Sequence, residues 1–123
     1  MILSQDDDQF YASAPGTSLK SLQELQRGRH SPQITLDAHG MTVAKASAAL
    51  DAVLQQALDT GLRTLLVIHG RGHNSGSAGP VLRNAVLDHL TRLRAGVVLM
   101  LCNAPPKWGG AGATLVRLRQ SRR

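Results

Sequence analysis

Hydrophobic and polar positions divide this chain into two unlike parts. Residues 1–33 are polar: "DDDQFYASAPGTSLKSLQELQRGRHSPQ" carries Pro15-Gly16 and Ser31-Pro32, and its apolar spacing predicts one short helix near Leu19–Leu25. The stretch reads as a flexible, largely disordered N-terminal arm, too polar to fold alone. From Ile34 the pattern tightens. Ile34 and Leu36 alternate with polar neighbours, predicting a short strand that stops at Gly40. "TVAKASAALDAVLQQALDTG" then places Val43, Ala46, Leu50, Val53, Leu54, Ala57 and Leu58 on one helical face, with Thr42 as N-cap and Gly61 as the stop.

"RTLLVIH" is almost continuously apolar, as a strand at a sheet centre would be. A helix from Pro80 turns Leu82, Val86, Leu90 and Leu93 inward, leaving Arg83, Arg92, Arg94 and His89 on its outer side. "GVVLMLCNA" and "ATLVRLR" are two further strands, joined by "PPKWGGAG" and therefore antiparallel neighbours. The expected fold is an α/β two-layer sandwich, β-α-β-α-β-β, with a mixed four-stranded sheet and both crossover helices on one face. Its domain runs over residues 34–119, with a basic tail at 120–123.

Charge sharpens this picture. The net charge is +6, but three of the eight acids are Asp6, Asp7 and Asp8, leaving fourteen basic residues against five acids elsewhere. Eleven of the fourteen are arginine, whose fork suits phosphate oxygens, so a polyanion is the natural partner, nucleic acid before membrane. With 2% aromatic residues the chain does not resemble modules that stack single-stranded bases on exposed rings. Cys102, the only cysteine, sits in an apolar run as a buried, inert thiol. "MILSQDDDQF" lacks the features of a signal peptide and no apolar stretch approaches a membrane span, so a cytoplasmic monomer with no membrane contact is expected.

The topology then gathers chemistry. The first two strands of the domain are linked by a helical crossover and should run parallel, so both end at one rim. That rim would carry Asp37 and His39 from "LDAHG", and His69, Arg71 and His73 from "IHGRGHNSGS". Gly70, Gly72, Gly76 and Gly79 would let backbone amides approach an anion, with Arg71 and the start of the next helix beside them. Neither a Walker nor a Rossmann spacing is present. Asp37 could orient His39 for general-base work, or could simply cap the turn that follows. Asp37, His39, His69 and His73 do not have the spacing of a tight metal site. No cofactor is expected, and only a loosely held Mg²⁺ bridging to phosphate is compatible with the set. Ser75 and Ser77 lack a placed base, which disfavours acyl chemistry.

Three motifs in order, LDxHG (Asp37, His39, Gly40), HGxG (His69, Gly70, Gly72) and GGxGA (Gly109, Gly110, Gly112, Ala113), resemble the Smr (small MutS-related) domain family in its stand-alone bacterial form. The resemblance covers about residues 34–119; Ala38 is smaller than the apolar residue usual there. It implies a fold akin to the C-terminal domain of a translation initiation factor, nucleic-acid binding and, in many members, endonuclease activity, including a ribosome-associated branch that cuts messenger RNA. It points to Asp37 and His39 for cleavage; the mechanism expected on that basis has either His69 or His73 protonating the leaving oxygen. The HGxG loop looks like the substrate-binding partner, here His69, Arg71 and Gly72, and the full set expected to contact nucleic acid or phosphate is Gly40, Gly70, Arg71, Gly72, His73, Lys107, Gly109 and Gly110. The expected function is phosphodiester cleavage with RNA preferred over DNA. The alternatives are a nucleic-acid- or ribosome-binding module that performs no chemistry, and a small-molecule phosphate binder.

Overall fold

The computed structural model describes residues 1–6, 8–71 and 80–120. Six strands form one mixed sheet: β1 (Leu3–Asp6), β2 (Gln9–Ser13), β3 (Ile34–Asp37), β4 (Thr64–Ile68), β5 (Val98–Asn103) and β6 (Ala113–Leu118), in the order β1-β2-β5-β6-β4-β3. Among the described residues only the β3–β4 pair is parallel; β5 and β6 are antiparallel neighbours, as their short connection requires. Helices α2 (Val43–Thr60) and α3 (Val81–Asp88) cover one face, and α1 (Leu19–Gln26) lies on the other.

The α2/α3 side holds the larger core. Leu50, Leu54 and Ala57 of α2, Val86 and Leu87 of α3, and Leu90 just after it close over Leu65, Val67, Val116 and Leu118. Thr42 caps α2 by accepting from the Lys45 N–H, and Gly61 ends it in the left-handed region at φ 74°. On the other side Leu22 and Leu25 of α1 pack on Leu66, Met100, Cys102 and Leu115. Burial there pushes the Cys102 thiol up to about 12, leaving it a protonated packing residue.

Two expectations are corrected. Residues 1–33 are not a disordered arm beside a four-stranded, two-layer domain. They supply a hairpin, β1–β2, that extends the sheet by pairing β2 with β5, and α1, which adds a partial third layer. The missed signal is the alternation Phe10, Ala12, Ala14, all at most 3% exposed; small alanines on the inward face read as polar-chain filler unless paired with a sheet. Second, α3 does not continue as a regular helix. Residues His89–Leu93 form a π-helical turn in which Arg94 N–H reaches back five residues to the His89 carbonyl. The wider turn advances the buried face by one residue. Leu93, expected inside, is 57% exposed, while His89, expected outside, is buried and donates Nε2–H to Asp51 Oδ1 at 2.7 Å. Arg94 forks onto both oxygens of the same carboxylate, which is held down to about 2, chiefly by that pairing.

Candidate active site

Because β3 and β4 run parallel with Asp37 opposite Ile68, their ends meet at one rim, and β6 begins there with Ala113 opposite Ile68. Backbone hydrogen bonds stitch three loops across it. Ala38 N–H donates to the Ile68 carbonyl at 2.7 Å, and the N–H groups of His69 and Gly70 both donate to the Gly112 carbonyl, at 3.1 and 2.9 Å. The "LDAHG", "HGR" and "GGAG" segments are thus neighbours in space. The two Gly112 bonds also take the His69 and Gly70 amides out of any anion cradle, so that part of the expected phosphate nest is not formed.

Asp37 and His39 make the clearest functional geometry. Asp37 Oδ1 accepts from the His39 backbone N–H at 3.2 Å and from His39 Nδ1 at 2.5 Å. The carboxylate therefore both caps the turn and fixes the imidazole. Both side chains are exposed, His39 at 70%. The hydrogen bonds from His39 hold the Asp37 carboxyl below its ordinary value, and Asp37 in turn raises the imidazole above that of a free histidine. With Nδ1 donating to the carboxylate, Nε2 is the basic nitrogen turned to solvent.

His69 is placed differently. Its residue is 4% exposed; Nδ1 donates to the Gly70 carbonyl and Nε2 accepts from Thr114 Oγ1, each at 2.8 Å. Burial lowers its pKa, so it is a neutral ring with both nitrogens engaged. It reaches the rim from the other face of the sheet. Ile34 and Leu36 pack on the α2/α3 side, so alternation sends Asp37 to the α1 side, whereas His69 lies against Phe10, ring centroids 6.4 Å apart. The rim is shared, but the role of proton donor expected of His69 is not what this geometry provides. The ring locks the turn that carries Arg71.

Arg71 is half exposed and crosses the "GGAG" turn. A Cβ on Gly110, which has φ 55°, would come within 3.0 Å of its Nη2, so the missing side chain there makes room for the guanidinium. Its Nη1 lies 3.9 Å from Asp8 Oδ2 in the hairpin turn. Gly70 sits against His39, with a notional Cβ 3.9 Å from the histidine's own. Gly40 and Gly109 both have positive φ in the rim loops, and Lys107 stands over the Trp108 ring at 4.4 Å. Gly72 and His73 lie outside the described residues. Among those described, no three of His, Cys, Asp or Glu gather closely enough to hold a metal ion, and no helix is long and apolar enough to cross a membrane.

Two contributors went unread in the sequence. Thr114 holds His69 from an adjacent strand, and Phe10 seals it from the hairpin. Thr114 follows directly on the GGxGA motif, but only the β4–β6 register, Val67 opposite Thr114, reveals its partner.

Comparison with known proteins gives a consistent picture. The Smr domain family model matches residues 36–119. The chain is 34% identical over 100 residues to the probable DNA endonuclease SmrA of Escherichia coli K12, covering 81% of this chain and 52% of that protein. It is 30% identical over 120 residues to the ribosome rescue factor SmrB of Tolumonas auensis, covering 98% and 64%. The chain thus spans about half to two thirds of the length of these relatives. The crystal structure of YdaL, a stand-alone small MutS-related protein from Escherichia coli, superposes with a TM-score of 0.76 at 32% identity, over 89% of this chain and 82% of that one.

Proposed function

This chain belongs to the Smr domain family, and on that footing we propose that it is an endonuclease that cuts phosphodiester bonds at the Asp37–His39 rim, RNA in preference to DNA. The observation that carries this is an exposed imidazole whose Nδ1 is held by a carboxylate. Nε2 is left free among the described residues to take a proton. RNA brings its own nucleophile, so the protein need supply only a base and a counter-charge. His39 Nε2 removes the 2′-hydroxyl proton, the 2′-oxygen bonds to phosphorus, and the P–O5′ bond breaks. Asp37 stabilises the imidazolium that forms. Arg71 faces the phosphate oxygens as their charge develops. The departing oxygen is protonated by His73 of the same loop or by water, because His69 has no nitrogen left for the task.

The name of SmrA supports a nuclease and that of SmrB a ribosomal context; for this chain the ribosome is a proposed partner. The test incubates labelled single-stranded RNA, duplex DNA and RNA bearing one 2′-deoxy position with wild type and Asp37→Ala, with and without chelator. Wild type should cut RNA, leave a cyclic phosphate end and skip the deoxy position; Asp37→Ala should not cut. Binding without product under every condition would replace the nuclease by a binding module, and cutting across the deoxy position would replace 2′-hydroxyl attack by water.

A further inference from the structure

The two sides of the sheet treat their cations differently. On the α2/α3 side two arginines hold acids, Arg94 forking onto Asp51 and Arg92 donating Nε and Nη2 to Asp88 at 3.0 and 2.9 Å, while Arg83 lies over the Phe10 ring instead. On the α1 side two others hold none. Arg63 donates Nε and Nη2 to the Leu118 carbonyl, and Arg117 Nη1 donates to Thr64 Oγ1 at 2.7 Å. Both arginines are partly buried and meet only neutral acceptors. Burial, and then the Arg63 charge, lower the Arg117 pKa; burial and Arg117 likewise lower His30, against a smaller opposing pull from Glu24. Among the described residues none of Lys20, Arg27, Arg29, Arg63, Lys107 and Arg117 takes part in an ion pair.

These cations form a strip. Gly28, just after α1, lies against Lys107; a Cβ there would come 3.1 Å from Lys107 Cε. From that point at the rim the chain crosses the sheet to Gln33, whose N–H bonds to the Thr64 carbonyl. A groove of about 460 Å³ runs beside it, walled by Lys20, Gln23, Glu24, Arg27, Arg29 and His30. Asp37 is on this same side. Arg117 pairs with Thr64 and Asp37 with Ile68, so the two ranks are four residues apart on β4, about 13 Å at ~3.3 Å per residue. Like charges kept together with Glu24 as the one acid on the groove wall are a standing attraction for an external anion, and arginine forks match phosphate. A strip that starts at the rim and runs down the face suits a repeating anion rather than a single one.

We infer that the α1-side face binds the sugar–phosphate backbone of the nucleic-acid strand whose scissile bond lies at Asp37–His39. The identity of the reaction rests on the proposed function; the surface does not, because it is read by binding alone. Anisotropy titrations of a labelled single-stranded RNA over a range of salt, in the Asp37→Ala background to keep the RNA whole, measure the slope of log affinity against log salt. Each lost phosphate contact should lower that slope by ~0.7, so Arg27→Gln/Arg29→Gln should lower it by about 1.4. Arg27→Lys/Arg29→Lys should keep it, and Arg92→Gln, on the opposite side, should leave it unchanged. An unchanged slope in the Gln pair, or an equal fall in Arg92→Gln, overturns the inference. So does a loss of binding to phosphatidylglycerol vesicles with none to RNA. A wild type that binds with these slopes but cuts nothing overturns only the nuclease.

Discussion

At the scale of single residues, the rim works by assigning one task to each ring. His39 is exposed, tethered at Nδ1 and raised in basicity by Asp37; His69 is buried, neutral and saturated with partners. A general base must be neutral to act. Because the His39 pKa is raised, the rising limb of the rate against pH should lie above that of an ordinary histidine at ~6.5. Asp37→Asn removes the charge that raises it. The limb should then move to lower pH, and the plateau should fall because the base is weaker; a pH–rate profile from pH 5 to 9 reads both. A limb that stays put, or moves upward, would separate Asp37 from the chemistry.

At the scale of elements, the hairpin is part of the structure that positions the site. Phe10 is 1% exposed, packs in the main core and lies beside His69. Phe10→Ala should cost about 3–5 kcal/mol, seen as a lower urea midpoint, whereas a loose arm would leave the midpoint unmoved. The α2–α3 junction makes a second prediction. Asp51 is held down to about 2 from 3.8 by Arg94 and then His89, so its ionised form favours the native state above its unfolded value. That contribution should be lost as pH falls from about 4 through about 2, and thermal denaturation of Asp51→Ala should lie below wild type at pH 7 and converge with it at pH 2.

The same elements show what the sequence could reveal. The helix α2 was legible to its caps, and the parallel β3–β4 pair with its shared rim followed from the crossover rule, because both depend on local spacing. Asp37 and His39 were legible for the same reason: two residues apart on a strand end, they needed no distant partner. What escaped depended on contacts far apart in the chain. Phe10 and Ala12 look unremarkable until β5 is beside them. His89 looks outward until the π turn rotates it toward Asp51, and His69 looks catalytic until Thr114 takes its second nitrogen.

At the scale of the whole molecule, charge divides along the sheet. Acids neutralise Arg92 and Arg94 on the α2/α3 side and Asp8 approaches Arg71 at the rim, while Arg63 and Arg117 on the α1 side meet neutral acceptors. On the proposed reading, holding the polyanion and breaking it fall to different groups, the arginines and lysines for the first and Asp37–His39 for the second. The direct measurement of that division is the single-turnover cleavage rate of His39→Ala at saturating RNA, taken beside its equilibrium affinity for the same RNA. The predicted result is a rate lower by about 10²–10⁴-fold with affinity within a few fold of wild type. A rate within a few fold of wild type would contradict it.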